Sequence, residues 1–149
     1  SNKLSVKINK AKVLDLFSGT GSFGIECLSR GAESVTFFEN YVNSLKILKT
    51  NILNLKLENK TNINNVSAYN LESLNLKNEI FNIIFLDPPF KDKKIKILIN
   101  QIKKIKIADK NSLLIIHRNK KSDDKISEYL NIFEEKSYGL SKIFFCSLF

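Results

Sequence analysis

Apolar positions recur along the chain with two different spacings. Short apolar runs that are typical of β-strands occur at Val13–Phe17, Val35–Phe38, Val66–Tyr69, Phe81–Leu86, Leu113–Ile116 and Ile143–Phe149. Between several of these runs, apolar residues repeat on one helical face, in the groups Leu45, Leu48, Ile52 and Leu55; Ile95, Leu98, Ile99 and Ile102; and Ile126, Tyr129, Leu130 and Phe133. The polar, asparagine-rich segment Asn59–Asn65 is predicted to be a loop.

The order of these elements predicts an α/β fold, with an open, mostly parallel sheet and helices on both faces. The chain end differs, because a strand over Glu134–Tyr138, a tight turn at Gly139 and a strand over Lys142–Phe149 predict a hairpin. One of the seven strands is therefore expected to run antiparallel. Asp123 or Asp124 would begin the predicted helix that contains Ile126 to Phe133, because acids are favourable at a helix N-terminus. The 149 residues show no internal repeat and are predicted to form a single domain, 1–149.

Composition excludes several classes of protein. Hydrophobic residues make up 43% of the chain and charged residues 26%, which is ordinary for a globular domain. No apolar run is long enough to cross a bilayer and no secretory signal is visible, so no membrane partner is expected. Cys27 and Cys146 are too few for a disulfide framework, which favours the cytoplasm. Cys27 is expected to be a packing residue; we predict no metal site and a monomer.

The net charge of +9 and the sequence pI of about 9.5 favour a polyanionic partner. Lysines that face phosphates release counterions on binding, which stabilises complexes with nucleic acids. Lysine, asparagine and isoleucine are also abundant in proteins from AT-rich genomes. The charge therefore supports an argument from motifs and does not replace one.

A glycine-rich loop, in the stretch VLDLFSGTGSFGIE, follows the first predicted strand. Ligands of parallel sheets bind beyond the carboxyl ends of the strands, where Gly19, Gly21 and Gly24 lie. Their spacing also satisfies the dinucleotide fingerprint, so an oxidoreductase is an alternative. Asp15 argues against that alternative, because an acid there repels a pyrophosphate but accepts from the ammonium group of S-adenosylmethionine. Glu39, which ends the second strand, could bind ribose hydroxyls in either cofactor.

A second motif, in the stretch FNIIFLDPPF, ends the fourth predicted strand, which is expected beside the first. The exocyclic amine of a nucleobase is a poor nucleophile, because its lone pair is delocalised into the ring. The Asp87 carboxylate and the Pro88 carbonyl could accept its two N–H groups and direct the lone pair, held rigidly by Pro88 and Pro89. Phe90 offers a stacking face for a base taken out of its helix.

Together the two motifs resemble those of class I S-adenosylmethionine-dependent methyltransferases that methylate amines. The stretch VLDLFSGTGSFGIECLSRGAESVTFFE, followed by FNIIFLDPPF, is similar to the RsmD family of 16S rRNA (guanine-N2)-methyltransferases. That family typically has LDLFAGTGALGLEALSRGA and then DPPF or DPPY. The similarity runs from Val13 to Phe90, with a looser echo in YGLSKIFF. It implies a Rossmann-like fold with a seven-stranded sheet.

The resemblance also implies cofactor contacts. Asp15, Gly19 and Gly21 would border the methionine part of S-adenosylmethionine, Glu39 would hold the ribose, and Asn70 would contact the adenine. Phe17 and Asp87 complete the implied set. Members commonly have an acid at the position of Asn70. They also carry an arginine-rich extension before the first strand, whereas only Ser1–Lys12 precede it in this sequence.

The implied reaction is methylation of a guanine N2 amine in small-subunit ribosomal RNA, either as free RNA or in an assembling subunit. Two alternatives stay open: an adenine-N6 methyltransferase, since those enzymes carry DPPY or NPPY, and a non-catalytic nucleic-acid-binding module. Lysines beyond the two strand ends are expected to contact phosphates, namely Lys91, Lys93 and Lys94 and, beside Asn119, Lys120 and Lys121. His117 has no partner visible in the sequence, so a structural role is expected for it.

Overall fold

The structure is a computed structural model that describes residues 2–76 and 78–149. Its strands are β1 Lys12–Asp15, β2 Ser34–Phe38, β3 Thr61–Asn64, β4 Ile83–Leu86, β5 Leu113–Asn119, β6 Asn131–Tyr138 and β7 Ser141–Ser147. Its helices are α1 Asn2–Ile8, α2 Ser22–Ser29, α3 Val42–Asn54 and α4 Ile95–Ile105, with 3₁₀ turns at Glu58–Lys60, Ala68–Ser73 and Ile126–Glu128.

The strands form one seven-stranded sheet in the order β3-β2-β1-β4-β5-β7-β6. The pairs from β3 to β5 are parallel, whereas β7 is antiparallel to both β5 and β6. The predicted mostly parallel sheet and the C-terminal hairpin are confirmed, with the turn at Gly139 in a left-handed conformation (φ 51°).

Successive residues of the central strands enter two hydrophobic cores on opposite faces of the sheet. Leu14 and Ile84 pack on the face covered by α4, whereas Val13 and Ile83 pack on the face covered by α2 and α3. All four side chains are fully buried. Cys27 is also buried in the second core, as expected of a packing residue.

The predicted adjacency of the first and fourth strands is confirmed. Val13 of β1 pairs with Val35 of β2 on one side and with Ile83 of β4 on the other. The helices that follow β1 and β4 cover opposite faces, so a crevice opens between the carboxyl ends of these strands. The glycine loop and the Asp87 turn both leave the sheet at this crevice.

The helix faces are confirmed for α4 and in part for α3. Ile95, Leu98, Ile99 and Ile102 are all buried, at 2% exposure or less. In α3 the buried positions are Leu48 and Ile52, whereas Leu55 lies beyond the helix end and is exposed. Among the residues described, no helix is both long and apolar enough to span a membrane.

The predicted third strand is wrong. β3 lies at Thr61–Asn64, inside the segment predicted to be a loop, and pairs with β2. As an edge strand with a single partner it buries little surface, so polar residues suffice there and the apolar pattern is missing. The residues predicted as the strand, Val66–Tyr69, lead instead into a 3₁₀ turn, where the Ser67 hydroxyl accepts the N–H of Tyr69.

The helix predicted from Ile126 to Phe133 is also wrong. A single 3₁₀ turn, Ile126–Glu128, precedes β6, which begins at Asn131. Ile126 and Leu130 are buried, but Phe133 lies at a register shift of the hairpin and is 59% exposed. The apolar residues of this turn and of the edge strand β6 are spaced like those on one face of a helix, which explains the wrong prediction.

Candidate active site

A cavity of about 520 Å³ opens at the carboxyl ends of β1, β2 and β4. Four segments line it: Leu16, Phe17 and Gly19; Phe38 to Tyr41; Val66 to Ala68; and Asp87 to Phe90. This volume suits a small molecule or cofactor. The structure thus brings both sequence motifs to one site.

Asp15, at the end of β1, is 1% exposed, and neither carboxylate oxygen has a hydrogen-bond partner among the described residues. Burial raises the pKa of Asp15 from 3.8 to about 7. The N–H of Gly24 lies close enough to lower this pKa, although it does not reach hydrogen-bonding geometry with either oxygen, and the carboxylates of Asp87 and Glu39 raise the pKa further. An unpaired buried acid is costly, and a cation bound beside it would offset the cost.

The glycines of the loop have different roles. Gly19 lines the cavity at φ 55°, and a Cβ there would meet open space. Gly21 caps α2 at φ 92°, and a Cβ there would lie 2.4 Å from Leu48 Cδ1. A side chain at Gly24 would come within 2.4 Å of the Phe37 ring. Gly19 therefore leaves room for a ligand, whereas the other two allow α2 to pack closely.

Glu39 organises the mouth of the cavity. Its Oε1 accepts the N–H of Gly19 at 2.7 Å, and its Oε2 accepts the N–H of Tyr41 at 2.9 Å. Each oxygen keeps a second lone pair for a ligand hydroxyl. The carboxylate therefore joins the glycine loop to the segment after β2.

Asn70 lies outside the cavity lining, inside the 3₁₀ turn, where its N–H donates to the Ser67 carbonyl. Ser67 and Ala68 line the cavity instead. The adenine contact expected at Asn70 stays a prediction.

Asp87 and His117 form a pair that the sequence did not reveal. Leu86 and Ile116 are partners in the register of β4 and β5, so the next two residues lie side by side. His117 Nδ1 is 2.8 Å from Asp87 Oδ1. This partner of His117 was not visible in the sequence, because the two residues are 30 positions apart. The contact orients the Asp87 carboxylate and leaves Oδ2 for a ligand.

The turn after Asp87 wraps around a buried guanidinium. Arg118, at 2% exposure, donates from Nη1 to the carbonyls of Pro88 and Pro89, both at 3.1 Å. Its Nη2 donates to the carbonyls of Phe90 at 3.2 Å and Asp92 at 3.0 Å. The Pro88 carbonyl, predicted to accept the target amine, thus has one lone pair already engaged.

Arg118 was missed by sequence reasoning because its partners are far away in the chain. Its Nε donates to Asp124 Oδ2 at 2.7 Å, so Asp124 pairs with a buried arginine and does not cap a helix. One signal was available: Arg118 and Arg30 are the only arginines among 24 basic residues. An arginine kept in a lysine-rich chain indicates a need for its planar fork.

The predicted phosphate contacts lie around the turn. Phe90 is 49% exposed at the cavity, and Lys91 follows it at the surface. Lys93 Nζ lies 3.5 Å from Asp123, and Lys94 Nζ lies over the Tyr69 ring, 5.3 Å from its centroid. Lys120 and Lys121 are exposed beyond β5, where the N–H of Lys121 donates to the Asn119 side chain and that of Lys120 to the Leu140 carbonyl.

Comparison with known proteins identifies the family. Residues 2–147 match the model of the family described as conserved hypothetical protein 95. The chain belongs to this family. One relative is a ribosomal RNA small subunit methyltransferase D from Buchnera aphidicola subsp. Acyrthosiphon pisum. It is 32% identical over 133 residues, which cover 89% of this chain and 69% of that protein. The resemblance to the RsmD family is confirmed.

A methyltransferase D from the Baizongia strain of Buchnera is 37% identical over 112 residues, and the matched region spans 56% of its length. Among solved structures, a candidate methylase from Haemophilus influenzae has a TM-score of 0.84 at 28% identity and covers 99% of this chain and 92% of its own. A candidate methyltransferase from Escherichia coli has a TM-score of 0.85 at 25% identity, covering 99% and 80%. The RsmD-family chain therefore has the class I methyltransferase fold.

Proposed function

We propose that this chain is an S-adenosylmethionine-dependent methyltransferase of ribosomal RNA that modifies the N2 amine of a guanine in the small subunit. The observation that carries the proposal is that Asp87, Pro88 and Phe90 line the same cavity as Gly19 and Glu39. An amine-binding turn and a ligand loop at one cavity are what methyl transfer to a base requires.

The residues present fit the cofactor. The buried, unpartnered carboxylate of Asp15 suits a cationic amine. The free lone pairs of Glu39 suit ribose hydroxyls, and Ser67 and Ala68 line the same cavity, where they would contact the adenine. When bound, S-adenosylmethionine supplies an electrophilic methyl group on a sulfonium. A pyrophosphate beside Asp15 would be repelled, which disfavours an oxidoreductase.

Asp87 prepares the nucleophile. Its Oδ2 accepts one N–H of the target amine, while His117 holds Oδ1. The remaining lone pair of the Pro88 carbonyl accepts the second N–H. These contacts draw the nitrogen toward tetrahedral geometry and aim its lone pair into the cavity. The nitrogen becomes acidic once it is methylated, so no strong base is required.

The identity of the base can be tested directly. Small-subunit RNA, free or in particles from cells that lack this gene, would be incubated with the protein and S-adenosylmethionine and then digested to nucleosides. Mass spectrometry is expected to find N2-methylguanosine. Detection of N6-methyladenosine instead would mean that adenine, not guanine, is the methylated base. Binding of RNA without any methylated nucleoside would favour the non-catalytic module.

We expect the cofactor site to depend on Glu39. Glu39→Ala should weaken binding of S-adenosylmethionine and S-adenosylhomocysteine at least about tenfold, because hydrogen bonds to a charged acceptor contribute about 1.5–3 kcal/mol each. Isothermal calorimetry with both ligands and with NAD measures the effect; NAD is expected not to bind.

Glu33→Ala is the matched control for Glu39→Ala. Glu33 precedes β2, at the opposite end of the strand that Glu39 follows, and its side chain is 59% exposed beside Lys12. This variant should bind both ligands like the parent. Parental affinity in Glu39→Ala would show that the ribose lies elsewhere. Tight binding of NAD without binding of S-adenosylmethionine would support the alternative that the protein is an oxidoreductase.

The basic surface beside the turn should bind RNA through phosphates. Replacing Lys91, Lys93 and Lys94 together by alanine is expected to weaken binding of all RNA sequences. The slope of log affinity against log salt concentration should fall by about one unit for each phosphate that the variant no longer binds. Fluorescence anisotropy over a salt series measures both quantities.

A control variant with the same change of charge separates phosphate binding from overall charge. Lys60 and Lys110 precede β3 and β5, at the amino ends of the strands and opposite the cavity. Lys104 lies in the last turn of α4. Their triple alanine variant should keep the parental slope. Equal slopes in both variants would mean that the lysines beside the turn are only solvated.

A further inference from the structure

Arg118 uses all its hydrogen-bonding capacity on one segment and one acid. A guanidinium has five N–H donors in a fixed plane. Four of them meet the carbonyls of Pro88, Pro89, Phe90 and Asp92, at 3.0–3.2 Å, and the fifth meets Asp124. The side chain is almost fully buried, so water cannot replace these contacts.

The segment has few other means of fixing its shape. Pro88 and Pro89 have no N–H, so they cannot donate within the turn. One backbone bond crosses it, from the Asp92 N–H to the Pro89 carbonyl, and the Asp92 carboxylate receives the Lys94 N–H and the Tyr69 hydroxyl. Apart from the Asp92 N–H that also donates to Pro89, the carbonyls of residues 88 to 90 thus depend on Arg118 for their direction.

We propose that Arg118, held by Asp124, is a positioning residue that sets the geometry of the amine-binding turn. It does not line the cavity. By fixing the carbonyls of residues 88 to 90 it determines where the free lone pair of Pro88 and the ring of Phe90 point. This inference rests on the proposed function, because the turn is taken to bind the target amine.

Lysine is the substitution that separates positioning from simple stability. Arg118→Lys keeps a charge for Asp124, but a single ammonium cannot reach four carbonyls in a plane. We expect kcat to fall about 10- to 100-fold, since misplacement of a reacting group by about 1 Å costs this much. The affinity for S-adenosylhomocysteine should stay within about twofold, because Arg118 does not line the cavity. Hydrogen exchange of the Phe90–Lys94 backbone should become faster.

Two controls come from the chain itself. Arg30→Lys changes the other arginine, which is exposed and pairs with Glu26, and should leave every quantity unchanged. Asp124→Asn keeps an acceptor for Arg118 and all four carbonyl contacts. It should lower the melting temperature and reduce kcat per folded molecule less than Arg118→Lys does. A parental kcat and parental exchange in Arg118→Lys would overturn the proposal.

A measurement on the parent protein keeps the inference testable if the variants fold poorly. With two arginines in the sequence, the ¹⁵N spectrum has two Nε–H signals, and Arg30→Lys assigns them. The Arg118 signal is expected to exchange slowly with solvent, and fast exchange would contradict the buried contacts. If Asp87→Ala methylates at the parental rate while Arg118→Lys does not, the amine-activation step fails and the positioning role stands.

Discussion

Asp87→Ala is expected to methylate RNA about 100- to 1,000-fold more slowly than the parent while binding S-adenosylhomocysteine nearly as well. Under the proposed mechanism the variant loses an acceptor for the reacting nitrogen, and removal of one positioned polar group at a reacting atom costs about 2.7–4 kcal/mol. Single-turnover rates with saturating cofactor measure the chemical step. Asp87→Asn should retain more activity than the alanine variant, since its amide oxygen still accepts.

A different role for Asp87 makes a different prediction. If the carboxylate merely closes the turn through His117, its removal lowers the melting temperature and leaves activity per folded molecule unchanged. Both quantities are therefore measured on the same preparations. Asp123→Ala, which removes an exposed acid near the turn, is the control and should change neither. A parental rate in Asp87→Ala would rule out activation of the amine by this residue.

The second large effect concerns pH and Asp15. Because burial raises its pKa from 3.8 to about 7, the folded protein binds a proton in this range that the unfolded chain has released. The free energy of unfolding should therefore fall as pH rises from about 4 to 7, by up to about 4 kcal/mol in total. Asp15→Asn cannot ionise, so its advantage over the parent should grow across this window and level off above it.

Urea unfolding at a series of pH values, without ligand, measures the difference between Asp15→Asn and the parent. Asp123→Asn, at an exposed acid, is the control. Saturating S-adenosylmethionine should stabilise the parent more than Asp15→Asn at pH 8, since a cation beside the carboxylate favours its charged form. A constant difference from pH 4 to 8 would mean that Asp15 has an ordinary pKa in the folded protein.

The parts of the site that sequence could predict are contiguous in the chain. The glycine loop between β1 and α2 and the Asp87 turn after β4 each carry their pattern within about a dozen residues. The two segments then lie together, because the carboxyl ends of neighbouring parallel strands are at the same end of the sheet. Asp15, Gly19, Glu39 and Asp87 could be selected on this basis.

The errors arose where burial or long-range pairing decided the structure. β3 is an edge strand, so its polar sequence gave no apolar signal, and the third strand was predicted at Val66–Tyr69 instead of Thr61–Asn64. His117 and Arg118 meet the turn only through the pairing of β5 with β4. A register of Leu86 with Ile116 would have predicted both contacts, but sequence periodicity does not fix register.

The central position of β1 in the sheet also affects how this protein folds during translation. β2 follows β1 closely, but β4 lies about 70 residues further along, since Val13 pairs with Ile83. Such non-local pairings form slowly. We therefore expect a nascent chain that ends before Ile83 to leave β1 with one of its two neighbouring strands. Such a product would lack both β4 and the turn that follows it.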